Sequence, residues 1–238
     1  MTPERFSRPR GKGSLELEGV KIALNGSILI PETTLTVSPG QVVTVMGPSG
    51  SGKSSLLAYI CGTLATAFDA RGRILVDGTD VTGLPIEKRR IGILFQDDLL
   101  FPHMSVGENL LFAVPRSAGN RKMRTGRVLR ALEEAELSGY ENRDPATLSG
   151  GQRARVALMR TLLSEPRTVL LDEPFSKLDA SMRGNIRRFV FDHVLTRGIP
   201  TLMVTHDVQD AQAARGPVLH VGNANGDPAA GDFRPDAA

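Results

Sequence analysis

The stretch VVTVMGPSGSGKSSLLAYI occupies residues 42–60. An apolar run comes first, then a glycine-rich segment ending in lysine and serine, then a second apolar run with helical character. Strand, glycine-rich turn and helix in that order are what a phosphate-binding loop requires. Gly47, Pro48, Ser49, Gly50, Ser51, Gly52, Lys53 and Ser54 fill every position of the pattern, with Ser55 following. Glycines let backbone N–H groups wrap phosphate oxygens without side-chain clash. Lys53 is then expected to neutralise the β and γ phosphates, and the Ser54 hydroxyl to ligate Mg²⁺. The alternative is a glycine-rich turn ahead of a helix; the complete pattern in its complete context outweighs it.

Three further apolar runs resemble residues 42–46: IGILF at 91–95, TVLL at 168–171 and TLMV at 201–204. None alternates with polar residues, so both faces are expected to be buried, as in a parallel sheet covered by helices. Each run is followed at once by polar residues: Gln96, Asp172 with Glu173, and Thr205 with His206. In open α/β sheets the ligand sits beyond the carboxyl ends of the strands, so the spacing alone predicts a site there. Asp172 ends its strand and is expected to hold Mg²⁺, directly or through water. Glu173 is expected to point elsewhere, because strand side chains alternate, and so to polarise an attacking water. Pro174 forbids further ladder pairing. Two acids at a strand end are usually solvated; beside a phosphate loop the metal and base reading prevails.

The remaining chain reads as follows. LELEGVKIAL (15–24) is two short strands or one bulged strand, and with TLTV and RILVDG it suggests a small antiparallel sheet. Residues 96–165 look helical, with a capping box at Ser105 and Glu108 and with Val128, Leu129, Leu132 and Ala135 at helical spacing up to Gly139. Met182, Ile186, Phe189 and Val190 share a later helical face. The expected layout is a basic disordered tail (1–14), a single domain (15–222) with core 15–95 and 166–222 and helical subdomain 96–165, and a loose C-terminal tail (223–238). The basic tail reads as a solvated leader, a contact with acidic lipid head groups being the alternative.

Composition narrows the class. The 238 residues are 40% hydrophobic and 23% charged, ordinary for a globular protein. No apolar run approaches a membrane span, and the N-terminus has no secretory pattern. A net charge of +3 gives no nucleic-acid footprint, and the lone Cys61 excludes an internal disulfide.

GPSGSGKS, the glutamine of LFQDD, LSGGQ, LLDEP, SKLD and VTHD occur in the order and spacing of ATP-binding cassette (ABC) ATPases, from about Leu15 to Val221. The chain resembles that family, and IGILFQD, DPATLSGGQRARVAL and LLDEPFSKLD most resemble its Ynj-type importer ATPases. The resemblance implies a P-loop NTPase fold of ABC type: a mostly parallel α/β core, a small antiparallel β subdomain and an inserted helical subdomain. It implies two chains packed head to tail, the turn Ser149, Gly150, Gly151 and Gln152 of one closing over the γ-phosphate held by the other. Gln96 would touch Mg²⁺ or the water and sense a membrane partner, Asp179 would cross the dimer interface, and His206 would contact the γ-phosphate. ATP and Mg²⁺ are the implied ligands. The implied partners are a second ATPase subunit, a permease docking at a groove that includes Phe101, Pro102 and His103, and, indirectly, a substrate-binding protein. The implied location is peripheral, at the cytoplasmic face of the inner membrane.

Three departures stand out. Where the family usually stacks adenine on an aromatic residue this chain has Leu24 with no aromatic nearby, so weak discrimination among bases is expected. Lys177 stands where a small residue is common. The chain stops soon after the VTHD motif, so the extra regulatory domain of many importer ATPases is not expected. Rival readings are an ABC exporter, an ABC ATPase acting on nucleic acid or ribosomes, and a P-loop small-molecule kinase, which would have no use for LSGGQ. His103, His193 and His220 read as structural, and Arg153, Arg155 and Arg160 as a solvated or interface-supporting face.

Overall fold

The computed structural model describes residues 13–222; the two expected tails fall almost wholly outside them. Two units can be separated. One takes the chain up to Ile91, Arg167–Glu173 and His193 onward; the other takes Gly92–Pro166 and Pro174–Asp192.

The first unit holds two sheets. β1 (Leu15–Leu24) is one strand with shifted register around Gly19, and it pairs antiparallel with β2 (Ser27–Val37) and β4 (Phe68–Val76); β5 (Thr79–Asp80) completes the order β2-β1-β4-β5. Asn25 and Gly26 both take positive φ, 50° and 80°, the conformation a two-residue hairpin needs. The bulge lets Leu15, Leu17, Val20 and Ile22 all reach the buried face. The second sheet is parallel. β7 (Thr168–Asp172), β8 (Thr201–Thr205), β3 (Val42–Met46) and β9 (Val218–His220) lie side by side in that order. Every residue of β3 and β8 is buried, as continuous apolar runs require. The short β9 had no sequence signal strong enough to find it. The register places Met46 abreast of Thr205 and Asp172 abreast of Val204, so the polar ends of three strands reach one edge together.

α1 (Lys53–Cys61) follows β3 and ends on Gly62. α2 (Ile86–Arg89) carries the side chain that fastens this end. Arg89 is 6% exposed, and its guanidinium donates to the carbonyls of Tyr59 at 3.0 Å, Ile60 at 2.8 Å, Leu84 at 2.8 Å and Thr82 at 2.5 Å. A Cβ on Gly62 would lie 2.7 Å from Arg89 Cζ; only glycine leaves the room. Cys61 beside it is buried, and that burial pushes its thiol up to about 11.

The second unit opens at Gly92, within β6 (Ile91–Leu94). Its residues alternate half-buried and buried, and Phe95 beyond it is 43% exposed, so the expected fully buried run at 91–95 does not hold. The unit then builds α3 (Val106–Ala113), α4 (Arg121–Glu134) and α5 (Gly150–Leu163). The Ser105–Glu108 capping box forms as expected. α4 does not run to Gly139. It stops at Ala135, where Leu137 N donates to Leu132 O and Glu136 takes φ 58°; turning there buries Leu137. Leu129 is 48% exposed and stands off the face formed by Val128, Leu132 and Ala135. Asn109 is fully buried, bonding the N–H and carbonyl of Phe101 and the carbonyls of Met104 and Ser105.

α6 (Ala180–Thr196) begins in this unit. Residues 174–192 were expected with the α/β core. They group with the helices because Met182 and Ile186 pack on Gly151 of α5, and because Phe175 meets Phe191 edge-on at 5.7 Å. The chain is back in the first unit from His193, and α7 (Val208–Ala214) follows β8 there. No helix among the described residues is long and apolar enough to cross a membrane.

Replacing Arg89 by alanine is expected to lower unfolding stability by about 3 kcal/mol, since buried carbonyls lose a charged donor. Urea titration followed by circular dichroism measures it, and Arg89→Lys should recover only part, because lysine lacks the planar fork.

Candidate functional site

The first unit gathers Gly47–Ser55, Asp172, Glu173 and His206 at the carboxyl edge of its parallel sheet. The loop is shaped by three constraints. Gly52 takes φ 89°, and a Cβ there would lie 2.8 Å from Leu29. A Cβ on Gly47 would lie 2.3 Å from Val221 O, so glycine is required there too. Lys53 is 6% exposed and turns its ammonium back onto the loop, donating to Gly47 O and Pro48 O, each at 2.8 Å. A buried ammonium needs such partners, and three N–H groups leave it one more to give.

The helix that follows supplies the complementary feature. α3, α4, α5 and α7 each carry a side-chain cap at the N-terminus, from Ser105, Asn120, Ser149 and Asp207. α1 has Gly52 at that position and no side-chain cap. Its first N–H groups and the positive end of its dipole are left to an external anion.

Oxygen donors and acids complete the edge. Ser54 Oγ donates to Asp172 Oδ1 across 3.4 Å. This is a pair of hard oxygens of the kind a divalent cation takes from a protein while keeping water and phosphate ligands. Burial raises the Asp172 carboxyl above its ordinary range, the charge of Glu173 adds to the rise, and Ser54 and Lys53 oppose it. Bringing a cation to this carboxylate would relieve both unfavourable terms. Glu173 departs from the sequence argument. It is not a strand residue with an alternating side chain: β7 ends at Asp172, and Glu173 takes φ 44° while its N–H still donates to Val204 O at 3.0 Å. That left-handed turn redirects the side chain, and Glu173 Oε1 lies 3.2 Å from His206 Nδ1. His206 sits in the β8–α7 turn. Buried Thr205 Oγ donates to Asp210 at 3.1 Å and accepts from Asp207 N at 3.0 Å, which fixes the backbone on both sides of the histidine. The sequence reading placed Thr205 at the strand end without this role and missed Asp210; an acid on the first turn of the next helix was the available signal.

The other expected site residues belong to the second unit. Gln96 and Asp179 are exposed there. Ser149 and Gln152 form a capping box, Ser149 Oγ accepting from Gln152 N at 3.3 Å and Gln152 Oε1 from Ser149 N at 2.9 Å. Gln152 is therefore committed to the helix end, while the Ser149 hydroxyl hydrogen is still available to an anion. Gly150 is half-buried and Gly151 buried against α6.

Two expectations need correction, and Lys177 gains an account. Of the two readings of Arg153, Arg155 and Arg160, a solvated or an interface-supporting face, the solvated one does not hold. Arg153 pairs with Asp98, Arg155 with Glu136 and the Ala135 carbonyl, and Arg160 donates to the carbonyls of Leu99 and Asp98. Lys177 has a partner, Asp97. Leu24 is not without an aromatic neighbour: Phe68 faces it directly across β1 and β4, where side chains share a face. Phe68 lies too far along the chain for a sequence reading to bring it there.

Comparison with known proteins gives the following. The family described as ABC transporter matches residues 30–176. The uncharacterized ABC transporter ATP-binding protein YnjD of Escherichia coli (strain K12) is 48% identical over 197 residues, 83% of this chain and 90% of that protein. The Fe(3+) ions import ATP-binding protein FbpC 1 of Haemophilus influenzae is 38% identical over 205 residues, 86% of this chain and 62% of that protein. The putative 2-aminoethylphosphonate import ATP-binding protein PhnT of Salmonella typhi is 37% identical over 203 residues, 85% of this chain and 54% of that protein. The chain thus spans nearly all of the first relative and less than two thirds of the other two.

Lys53→Ala should weaken binding of a fluorescent ATP analogue by about 10- to 100-fold, the loss expected for charge-assisted bonds. Equilibrium titration reads it directly, and unchanged affinity would remove Lys53 from the phosphate site.

Proposed function

The chain belongs to the ABC transporter family, and from that premise we propose that it is the ATP-hydrolysing subunit of a binding-protein-dependent importer. The observation that carries the reading is the carboxyl edge of the parallel sheet. An inward-turned Lys53, an uncapped helix, the Ser54–Asp172 pair and the Glu173–His206 contact all meet there.

ATP is the substrate. Lys53, oriented by two loop carbonyls, gives its remaining N–H to the β and γ phosphates, and the loop N–H groups and the α1 terminus bind the same oxygens. Ser54 and Asp172, with Gln96, are the residues that would hold Mg²⁺, and their hard oxygen donors fit that ion. When bound, Mg²⁺ would neutralise charge developing on the transferred phosphoryl group. Glu173 orients the attacking water and accepts its proton. His206 holds the Glu173 carboxylate and faces the γ-phosphate. Ser149, Gly150, Gly151 and Asp179 of a second copy close the site, so a homodimer carries two composite sites.

The transported solute is set by other chains. One relative is named for Fe(3+) ions and another for 2-aminoethylphosphonate, at 38% and 37% identity, so this similarity favours neither cargo. A permease supplies the path and a substrate-binding protein the selectivity. The permease would dock where Phe101, Pro102 and His103 lie beside Phe112, whose side chain is 67% exposed and meets Phe101 at 5.1 Å. On this reading the subunit is peripheral, held through the permease at the cytoplasmic face of the inner membrane.

Glu173→Gln is expected to keep ATP affinity within about twofold while lowering turnover by at least ~100-fold, the usual contribution of a general base. It should also accumulate an ATP-bound dimer on size exclusion. Steady-state hydrolysis at the wild-type rate would assign the base elsewhere.

A further inference from the structure

Asp97 and Asp98 directly follow Gln96, and the mechanism uses neither carboxylate. Their side chains are drawn in two directions. Asp97 pairs with Lys177, which stands two positions before Asp179. Asp98 accepts from Arg153 Nε at 3.1 Å, and the same guanidinium donates to Leu148 O at 2.7 Å, the carbonyl next to Ser149. Arg160 adds donations to Leu99 O at 2.7 Å and Asp98 O at 3.1 Å. Asp97, Asp98, Arg153 and Lys177 line one cavity of about 440 Å³, whose wall also includes Gln96, Gly150 and Leu178. All of them belong to the second unit.

We propose that the Asp97–Lys177 pair is a positioning device that, together with Asp98–Arg153, ties the Gln96 segment to the Ser149 turn on one side and to the Asp179 loop on the other. The inference rests on the proposed function, in which Gln96 would help hold Mg²⁺ and Ser149 and Asp179 act across the dimer. Neither carboxylate touches the reacting atoms; both act through those three residues. The two ties differ in strength. Asp98 and Arg153 have side chains 30% and 40% exposed, and backbone carbonyls add to their hold. Asp97 and Lys177 are 63% and 53% exposed, and an ion pair in that setting is weak and screened by salt. The outer tie is the one that yields first. A displacement of the Gln96 segment passes to Asp179 only while Lys177 holds Asp97. Lysine at this place is therefore functional, where a small residue would leave Asp97 without its cation.

The test uses Asp97→Ala, Lys177→Ala and the exchanged pair Asp97→Lys/Lys177→Asp in the full chain. Steady-state ATPase kinetics are run at low and high KCl, with amide hydrogen exchange of residues 96–100 and 176–179. Each single variant should lower kcat by about three- to tenfold and move KM by less than about twofold, since geometry rather than binding is lost. The exchanged pair should recover most of kcat, and high salt should bring the wild type toward the single variants while leaving them unmoved. Exchange at both segments should quicken in the single variants and return in the exchanged pair. Single variants with wild-type kcat and exchange, or an exchanged pair no better than either, would overturn the proposal. A wild type that hydrolyses no ATP would instead sink the proposed function, and hydrogen exchange alone would still decide whether the tie exists.

Discussion

The buried ammonium of Lys53 is the constraint on which the site depends. At 6% exposure a cation is tolerated only with oxygen partners around it. The loop provides two, its own Gly47 and Pro48 carbonyls. For those carbonyls to face inward the chain must turn back between Met46 and α1. That turn requires Gly47 to lie against Val221 O and Gly52 to adopt a positive φ against Leu29. The same turn leaves α1 as a helix that no side chain caps. A lysine seeking oxygen and a helix end without a side-chain cap converge on one place, which we propose receives an anion. The Arg89 clasp at the far end of α1 keeps that helix from shifting away from the loop.

Charge is arranged around this place with an internal tension. Asp172 and Glu173 are adjacent acids; burial and mutual repulsion raise the first, while Lys53 and Ser54 oppose the rise. The strand ladder alone would have left the two side chains on opposite faces. The left-handed turn at Glu173 instead brings it to His206, fixed by Thr205 and Asp210. A positive φ at a non-glycine residue is costly, and here it falls on the residue proposed to orient water. The second unit makes the opposite local choice. Its Ser149 turn is capped by Gln152, so the hydroxyl hydrogen and the glycine N–H groups are what remain for an anion, a lighter grip than the loop of the first unit.

Much of this was legible because it lies in contiguous sequence. GPSGSGKS fixes strand, loop and helix within one window, and three of the four apolar runs, all but 91–95, announce buried parallel strands by lacking alternation. The Ser105–Glu108 box is a local pattern with a local cause. What escaped depends on pairs far apart in the chain. Phe68 opposite Leu24, Arg89 under the end of α1, and Lys177 on Asp97 are long-range meetings that no window can register. Glu173 was assigned by strand alternation, yet the strand had already ended, since a proline at the next position stops the ladder early. Gly139 looked like a helix stop and was not, because burying Leu137 against the helix required the turn at Glu136. Residues 174–192 joined the helices for the same kind of reason: the apolar faces of α5 and α6 find each other only in three dimensions.

The central claim is that the anion cradle of one chain and the serine turn of another make one working site. Mixing Lys53→Ala chains with Ser149→Arg chains tests it, because a mixed dimer restores one intact composite site from two dead parents. The account predicts ATPase activity in the mixture well above either parent alone, and a specific activity that falls on dilution as dimers dissociate. A mixture no more active than its parents, with a wild-type chain whose specific activity is independent of concentration, would contradict it.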